Sequence, residues 1–431
     1  MFQDRSPSPL ARRRRALPSL TALALILGTM GVASPAVGVA GASEPTGAEI
    51  VTMWNAVTVD TVVVDAGKAN PEAFYWFAVE QAAVYNAVVG ITRRYELYKW
   101  DVRGPRNASP GAAAAAAAHT VLLHSFPASE DRLDDALELS LSSIPDGMAK
   151  TKGIEYGEAA AERIIALRAG DSLAPIPYTE PPAPGVWQPT PPTFAPFFGA
   201  FLGELEPFML GSTRWVRPPA PPGLNTKTYT REFEEVKDFG AKTGSLRSDE
   251  QTQTALFFSD VGIVGVQAGL RDLIQRREMN ISDAARVLAA VDLSIIDTVI
   301  TVWEAKARYH WWRPIHAIQQ ADDDGNDATD ADPTWEPLIA NPPYPEYPSG
   351  LNGVVGAAAR ALRKVVGSVN IRLTSAAAGE TRHYRTEVSL KHDAIDSRVW
   401  SGIHFRTAEV VAFRMGTRVA GRMLDRYFER A

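Results

Sequence analysis

From residue 48 onward the apolar positions recur three and four apart, and that period predicts helices. Ala73 to Val89 carry apolar residues at helical spacing, Gly111 to Leu123 contains seven consecutive alanines, and Gly153 to Ala169 forms another amphipathic run, so at least four helices are expected before residue 170. Between Pro175 and Pro222 proline is dense, as in PYTEPPAPGVWQPTPPTFAP and RPPAPPG, which predicts an extended segment wrapping a surface, with a short helix near Phe198 to Leu205. Its tryptophans and phenylalanines point to packing rather than to a free linker. Helical patterning resumes at Thr230 to Thr243, Asp249 to Phe258, Val261 to Gln275 and Ile281 to Ile318. An acidic loop, ADDDGNDATDADPTW, follows, then PPYPEYPSGLNGVVG at 342–356, and last two helices at about Gly350 to Val366 and Ser397 to Phe428. With no hairpin signal and no sustained period-two alternation, the expected fold class is all-α: a pair of helical bundles. The organisation read from these shifts is an N-terminal helical region at 43–174, a Pro-rich wrapping segment at 175–225 and a C-terminal helical bundle at 226–431.

A chain of 431 residues with 45% hydrophobic and 22% charged residues can bury a sizeable core, which excludes a wholly disordered protein. The first 42 residues read as an export signal: Arg12 to Arg15 make a basic region, Leu17 to Met30 an apolar one, and Ala40-Gly41-Ala42 a cleavage site. Pro18, Ser19 and Thr21 break the apolar run, which is short for a membrane span, so a secreted, extracytoplasmic protein is expected, by a Sec or twin-arginine route. Loss of that segment takes the formal charge from −6 to about −10, which disfavours nucleic acid as a partner. Cysteine is absent, excluding thiolate metal sites, thiol nucleophiles and redox pairs. Imidazole chemistry has seven candidates: His119, His124, His310, His316, His383, His392 and His404.

Three segments carry candidate chemistry. In KARYHWWRP, seven residues at about 100° each place Lys306 and Arg313 within roughly 20° of one another on a continuous helix, with Pro314 ending or kinking it. In YPSG, Ser349 is a good N-cap with a free hydroxyl, and Gly350 offers a backbone N–H unobstructed by a side chain; together they make two donors for an oxyanion at a helix start. In SRVWSGIHF, Arg398 and His404 fall about 120° apart on a continuous helix, so their convergence requires Arg398 at a helix start, which Ser397 would cap. Few carboxylates are expected near these three cations. A solvated basic stripe, an ordinary serine cap and a satisfied core histidine are the bland readings of the three taken singly.

Lys-x6-Arg-Pro, then Pro-Ser-Gly, then Ser-Arg-x5-His, in that order in an all-α chain, resembles the vanadium-dependent haloperoxidase and type 2 phosphatidic acid phosphatase (PAP2) superfamily. WRPIHAI, PPYPEYPSG, GVWQPTPP and LRSDEQTQTALFF are similar to the secreted bacterial haloperoxidase branch. The resemblance implies an oxyanion site in the C-terminal bundle that holds vanadate, or phosphate in its place, with His404 as the metal ligand. Lys306, Arg313, Ser349, Gly350 and Arg398 would complete the cradle. It implies oxidation of halide by hydrogen peroxide at that vanadate, with Lys306 polarising the peroxide and halide or a small organic molecule as the acceptor. The alternatives are a PAP2-type phosphatase with His404 as nucleophile, or an oxyanion-binding or other non-haloperoxidase member. One departure stands out: where the pattern continues Pro-Ser-Gly with an acid–base histidine, this chain has Leu351, which carries no proton. Impaired turnover is the expected consequence, unless His310 or His316 takes the histidine's place.

Overall fold

The computed structural model describes residues 47–431; the export signal read at the N-terminus lies outside them. Five α-helices come first: α1 (Gly47–Val59), α2 (Asn70–Thr92), α3 (Pro110–Ser125), α4 (Glu130–Ser142) and α5 (Met148–Arg168). Eight more follow the Pro-rich stretch: α6 (Lys227–Gly240), α7 (Asp249–Asp260), α8 (Ile263–Arg276), α9 (Ile281–Tyr309), α10 (Pro314–Gln319), α11 (Gly350–Val366), α12 (Glu387–Trp400) and α13 (Arg406–Leu424). The fold is therefore helical, as the periodicity predicted. Among the described residues no helix is long and apolar enough to cross a membrane.

The described residues form one compact unit. Its axis is α9, 29 residues long and buried on nearly every face from Ser282 to Lys306. A helix apolar all round belongs in a core. Here α1 and α2 pack against it from the N-terminal group, and α11 and α13 from the C-terminal group. The run of seven alanines lies buried in α3, where small side chains let α3 approach α2 and α5 closely. Gly157 makes that contact tight, because a Cβ there would stand 2.3 Å from the Ala113 carbonyl oxygen.

The Pro-rich segment is fastened to the core by its backbone. The Asp297 carboxylate, buried in α9, accepts the amides of Phe208, Met209 and Leu210 at 2.5, 2.8 and 2.7 Å. Trp187 is fully buried, and its amide donates to the carbonyl of His310. Further on, Tyr309 and Tyr347 donate their hydroxyls to the carbonyls of Pro218 and Pro219. The segment thus braces the end of α9 and the loop that leads into α11.

Three sequence expectations are corrected. The run from Ile281 to Ile318 is two helices, because α9 ends at His310 in a left-handed conformation and a new helix begins at Pro314. The last run starts earlier, at Glu387 after the Thr386 cap, and is broken between Trp400 and Arg406. The described residues also hold one hairpin, β1 (Ile371–Ser375) paired antiparallel with β2 (Glu380–Tyr384), whose first strand alternates buried and exposed residues. Five residues is too short a run to stand out as period-two patterning.

Candidate functional site

Each candidate side chain sits where a helix begins or ends. Lys306 is in the last turn of α9, Arg313 is the N-cap of α10, Ser349 is the N-cap of α11 and Gly350 opens that helix. Arg398 lies in the last turn of α12, and His404 in the loop between α12 and α13. Two geometric expectations are thereby overturned. Lys306 and Arg313 do not share a helix, and Arg398 is at a helix end rather than a start. Ser397 accordingly caps nothing: its hydroxyl donates to the Ala394 carbonyl. The convergence comes from chain reversal instead. Gly402, at φ +77°, turns the chain so that His404 faces back toward Arg398, and a Cβ there would meet the Gly240 carbonyl oxygen at 2.4 Å.

All six residues come together, and all six are buried. Arg313 Nη1 donates to His404 Nε2 at 3.0 Å and to the Ile403 carbonyl at 2.9 Å. Lys306 donates to the carbonyls of Pro345 and Glu346, at 2.6 and 3.0 Å. Ser349 accepts the Asn352 amide at 3.3 Å. Arg398 differs from the other cations. It is 7% exposed, its side chain makes no hydrogen bond or ion pair with any described residue, and its Nε is buried without a partner.

The expectation of few carboxylates is wrong. Glu346 and Glu409 are both fully buried in the cluster. Glu346 Oε1 accepts from His404 Nδ1 at 3.0 Å and from the Phe405 amide at 2.9 Å. Glu409 Oε1 lies 3.5 Å from His404 Nδ1, while its other oxygen accepts from Asn352 Nδ2. These contacts assign the histidine's proton. A guanidinium can only donate, so Nε2 must be the bare nitrogen, and Nδ1 carries the hydrogen given to Glu346.

Burial governs the charges. It pushes the His404 imidazolium well below its ordinary range, helped by Arg313, Arg398 and Lys306 around it, so the ring is neutral at neutral pH. Burial, then the neighbouring Arg313, likewise lowers Lys306 far below the usual ammonium range. Arg313 falls to about 10 and Arg398 is also lowered, both through desolvation. Glu346 is pushed up to about 8 by burial against the pull of Arg313, and Glu409 to about 7 against the pull of Arg398. Three cations are thus held out of water at a cost that a bound anion would relieve.

A cavity of about 400 Å³ opens onto this cluster, with Gly350, Arg398 and His404 in its wall alongside Trp303, Tyr344 and Leu351. Lys306, Arg313 and Ser349 are not among its lining residues. The Tyr344 ring lies between, its centroid 5.0 Å from Lys306 Nζ and 5.1 Å from the Arg313 guanidinium carbon. Neither histidine considered as a replacement proton carrier lines the cavity. The ring of His310 sits beside Tyr178, and that of His316 is on α10 with Nδ1 buried and unpartnered. Sequence reasoning missed Glu346, Glu409, Asn352 and Tyr344. Glu346 and Tyr344 stood inside the quoted Pro-rich loop; Glu409 looked like an ordinary acid in a helix's first turn.

Comparison with known proteins finds similarities of one kind. Residues 286–430, which include all six candidates, match the family described as the VCPO second helical-bundle domain. Vanadium chloroperoxidase of Curvularia inaequalis is 27% identical over 208 residues, 39% of this chain, and the matched stretch spans 32% of that protein's length. Among solved structures, a bacterial vanadium-dependent iodoperoxidase superposes with a TM-score of 0.74 at 21% identity, covering 90% of this chain and 98% of that one. The holo form of a bacterial vanadium-dependent chloroperoxidase gives 0.66 at 19% identity, covering 83% and 92%.

Proposed function

We propose that this chain, whose residues 286–430 match the VCPO second helical-bundle domain and whose fold is that of bacterial vanadium-dependent haloperoxidases, binds vanadate at His404 and oxidises halide with hydrogen peroxide. The observation that carries this reading is the unpartnered, buried Arg398 beside a neutral His404 whose bare Nε2 is held only by Arg313. A buried guanidinium without an acceptor is costly, and a tetrahedral oxyanion supplies the acceptors. The residues present fit the group: a bare imidazole nitrogen for the metal, three cations for the oxygens, and Ser349 and Gly350 at a helix start. Vanadate, when bound, supplies the Lewis-acid centre at which peroxide is activated toward halide.

The protein's own contributions follow from the contacts. Glu346 orients the imidazole and fixes its tautomer by accepting the Nδ1 proton. Arg313, whose Nη1 now donates to His404, and Arg398, whose side chain has no acceptor, would donate to the oxyanion's oxygens. Lys306, held by the carbonyls of Pro345 and Glu346 beside the Tyr344 ring, would lend positive charge to a bound peroxide. Leu351 contributes no proton, so turnover is slow and proton transfer falls to water in the cavity. With residues 1–42 acting as an export signal, the reaction would take place outside the cytoplasm.

The test is metal content and turnover on purified protein. Orthovanadate should bind in a 1:1 ratio, and bromide or iodide oxidation should appear only with both vanadate and peroxide present. Hydrolysis of p-nitrophenyl phosphate without vanadate, and no halide oxidation with it, would replace this reading by the phosphatase one, with His404 Nε2 as nucleophile.

A further inference from the structure

The exposed face of α13 carries more positive charge than its surroundings balance. Arg414, Arg418 and Arg422 follow one another at steps of four residues, all exposed, which sets them about 6 Å apart along the helix axis with a drift of about 40° per step. Arg360 of α11 joins them from the side: its Nε would stand 3.3 Å from a Cβ on Gly421, the residue before Arg422. Other cations of these two helices are paired. Arg406 opens α13 against Glu235 and Asp396, while Arg363 and Lys364 on α11 meet Glu387 and Asp425. The four arginines of the row make no ion pair with any described residue, although the chain's 50 acidic residues outnumber its 44 Lys and Arg. Like charges one turn apart repel, so the row weakens the helix that carries it. Beside the row lies Trp215 of the Pro-rich segment, 65% exposed. Its carbonyl accepts from Arg418 Nη2 at 3.2 Å, and its ring centroid is 5.6 Å from the Arg422 guanidinium carbon. Two arginines thus hold an exposed indole on the basic face.

A partner for this face has to offer several anions side by side and a place for one indole. A protein partner would need an apolar centre, and no large apolar side chain of α13 is exposed. A polyanionic strand is held in a groove that tracks it, whereas a helix ridge touches a plane. An anionic bilayer supplies both needs: phosphates that match guanidinium forks, and an interfacial layer in which tryptophan is favoured. We propose that this face docks the protein on an anionic phospholipid surface, with Arg360, Arg414, Arg418 and Arg422 on lipid phosphates and Trp215 in the interfacial layer. The contact is electrostatic and shallow, because the apolar side of α13, with Met415, Val419 and Met423, is spent inside the fold and does not insert. Docking of this kind is independent of the oxyanion site and of whatever reaction takes place there.

The test is sedimentation of the purified protein with lipid vesicles. It should bind vesicles of phosphatidylglycerol mixed with phosphatidylcholine, and not phosphatidylcholine alone, at about 0.1 M salt, and should be released at about 1 M, where the screening length falls from roughly 10 to 3 Å. Arg414→Gln/Arg418→Gln/Arg422→Gln should weaken binding by roughly a hundredfold, a factor of about five for each arginine near an anionic surface. Trp215→Ala should weaken it as well. A control that loses the same three charges around α5, Arg106→Gln/Lys150→Gln/Lys152→Gln, should bind like the wild type. Melting curves report whether each variant is folded, and Arg414→Gln alone, with its loss of about fivefold, keeps the test decisive if the triple variant unfolds. Equal binding to the two kinds of vesicle, or equal weakening in the row variant and the α5 control, overturns the proposal. Retention on heparin without vesicle binding also overturns it, and assigns the face to a polyanionic chain instead.

Discussion

At the scale of single residues the site is decided by which atoms are left without partners. His404 offers a bare Nε2 because Glu346 takes the proton on the other nitrogen, and Arg398 has no acceptor. His404→Ala should therefore cut vanadate affinity more than phosphate affinity, since phosphate forms no bond to the imidazole and loses only a neighbour. Calorimetry on wild type and variant with both anions checks this, and equal losses would remove His404 as the metal ligand. Leu351→His is the second case. An imidazole there would stand in an apolar wall close to Arg398, so burial and charge would lower its pKa below the ordinary value of about 6.5. The proton-donating form then fills only as pH falls below that value. Bromide oxidation by the vanadate-loaded variant should exceed wild type at about pH 5 to 6 and converge with it near pH 8. Equal profiles at all pH values would mean that a proton carrier is not what the site lacks. Much of this cluster was legible: the six residues that the fold brings together were read from three short motifs. The carboxylates were not, because an acid between prolines or in a helix's first turn has bland explanations that only the fold removes.

At the scale of elements, the motifs converge because helices start and stop in particular places. The stops were the hardest part to read. His310 ends α9 with a positive φ that no local residue preference announces, and the carbonyl it presents is taken by the Trp187 amide from the wrapping segment more than a hundred residues earlier. The break before His404, in contrast, has a visible mark in Gly402, and the start of α12 in Thr386. The relation between α11 and α13 depends on glycine in a different way. The two helices touch backbone to backbone, since a Cβ on Gly416 would stand 2.1 Å from the Gly353 carbonyl oxygen and one on Gly356 would stand 2.3 Å from that of Phe413. Gly416→Ala has to push the helices apart. It should cost about 1–3 kcal/mol or more, by the usual cost of overpacking, and a lowered melting temperature or urea midpoint measures it. Because α11 carries Ser349 and Gly350 at its start and α13 follows His404, orthovanadate affinity should fall in the same variant. A substitution tolerated without loss of either would contradict the close crossing.

At the scale of the whole molecule, a chain without cysteine holds itself together by burial, and some of what it buries is acidic. Asp292, in the middle of α9, is 1% exposed; one oxygen accepts from Gln267 Nε2 at 2.6 Å and the other has no partner. Glu80 on α2 faces it, fully buried, with neither oxygen bonded. Burial raises the pKa of both, that of Asp292 from an ordinary 3.8 to about 7. A raised carboxyl pKa means that the folded protein holds a proton the unfolded chain has already released. Stability is therefore intact below about pH 4, falls as pH rises between the unfolded and folded values, and is fully reduced above about pH 7. The rise from 3.8 to about 7 corresponds to roughly 4 kcal/mol. Asp292→Asn removes that titration while keeping an oxygen for Gln267, and its new N–H2 group can donate to Glu80. Melting temperatures measured from pH 5 to 8.5 should fall with rising pH in the wild type and fall less in the variant, whose advantage should be largest at the alkaline end and shrink toward pH 5. The residual slope belongs to Glu80 and should be reduced further in Asp292→Asn/Glu80→Gln. Parallel curves for wild type and Asp292→Asn would show that Asp292 is ionised in the folded protein throughout this range, and that a cation or water within the core meets its charge.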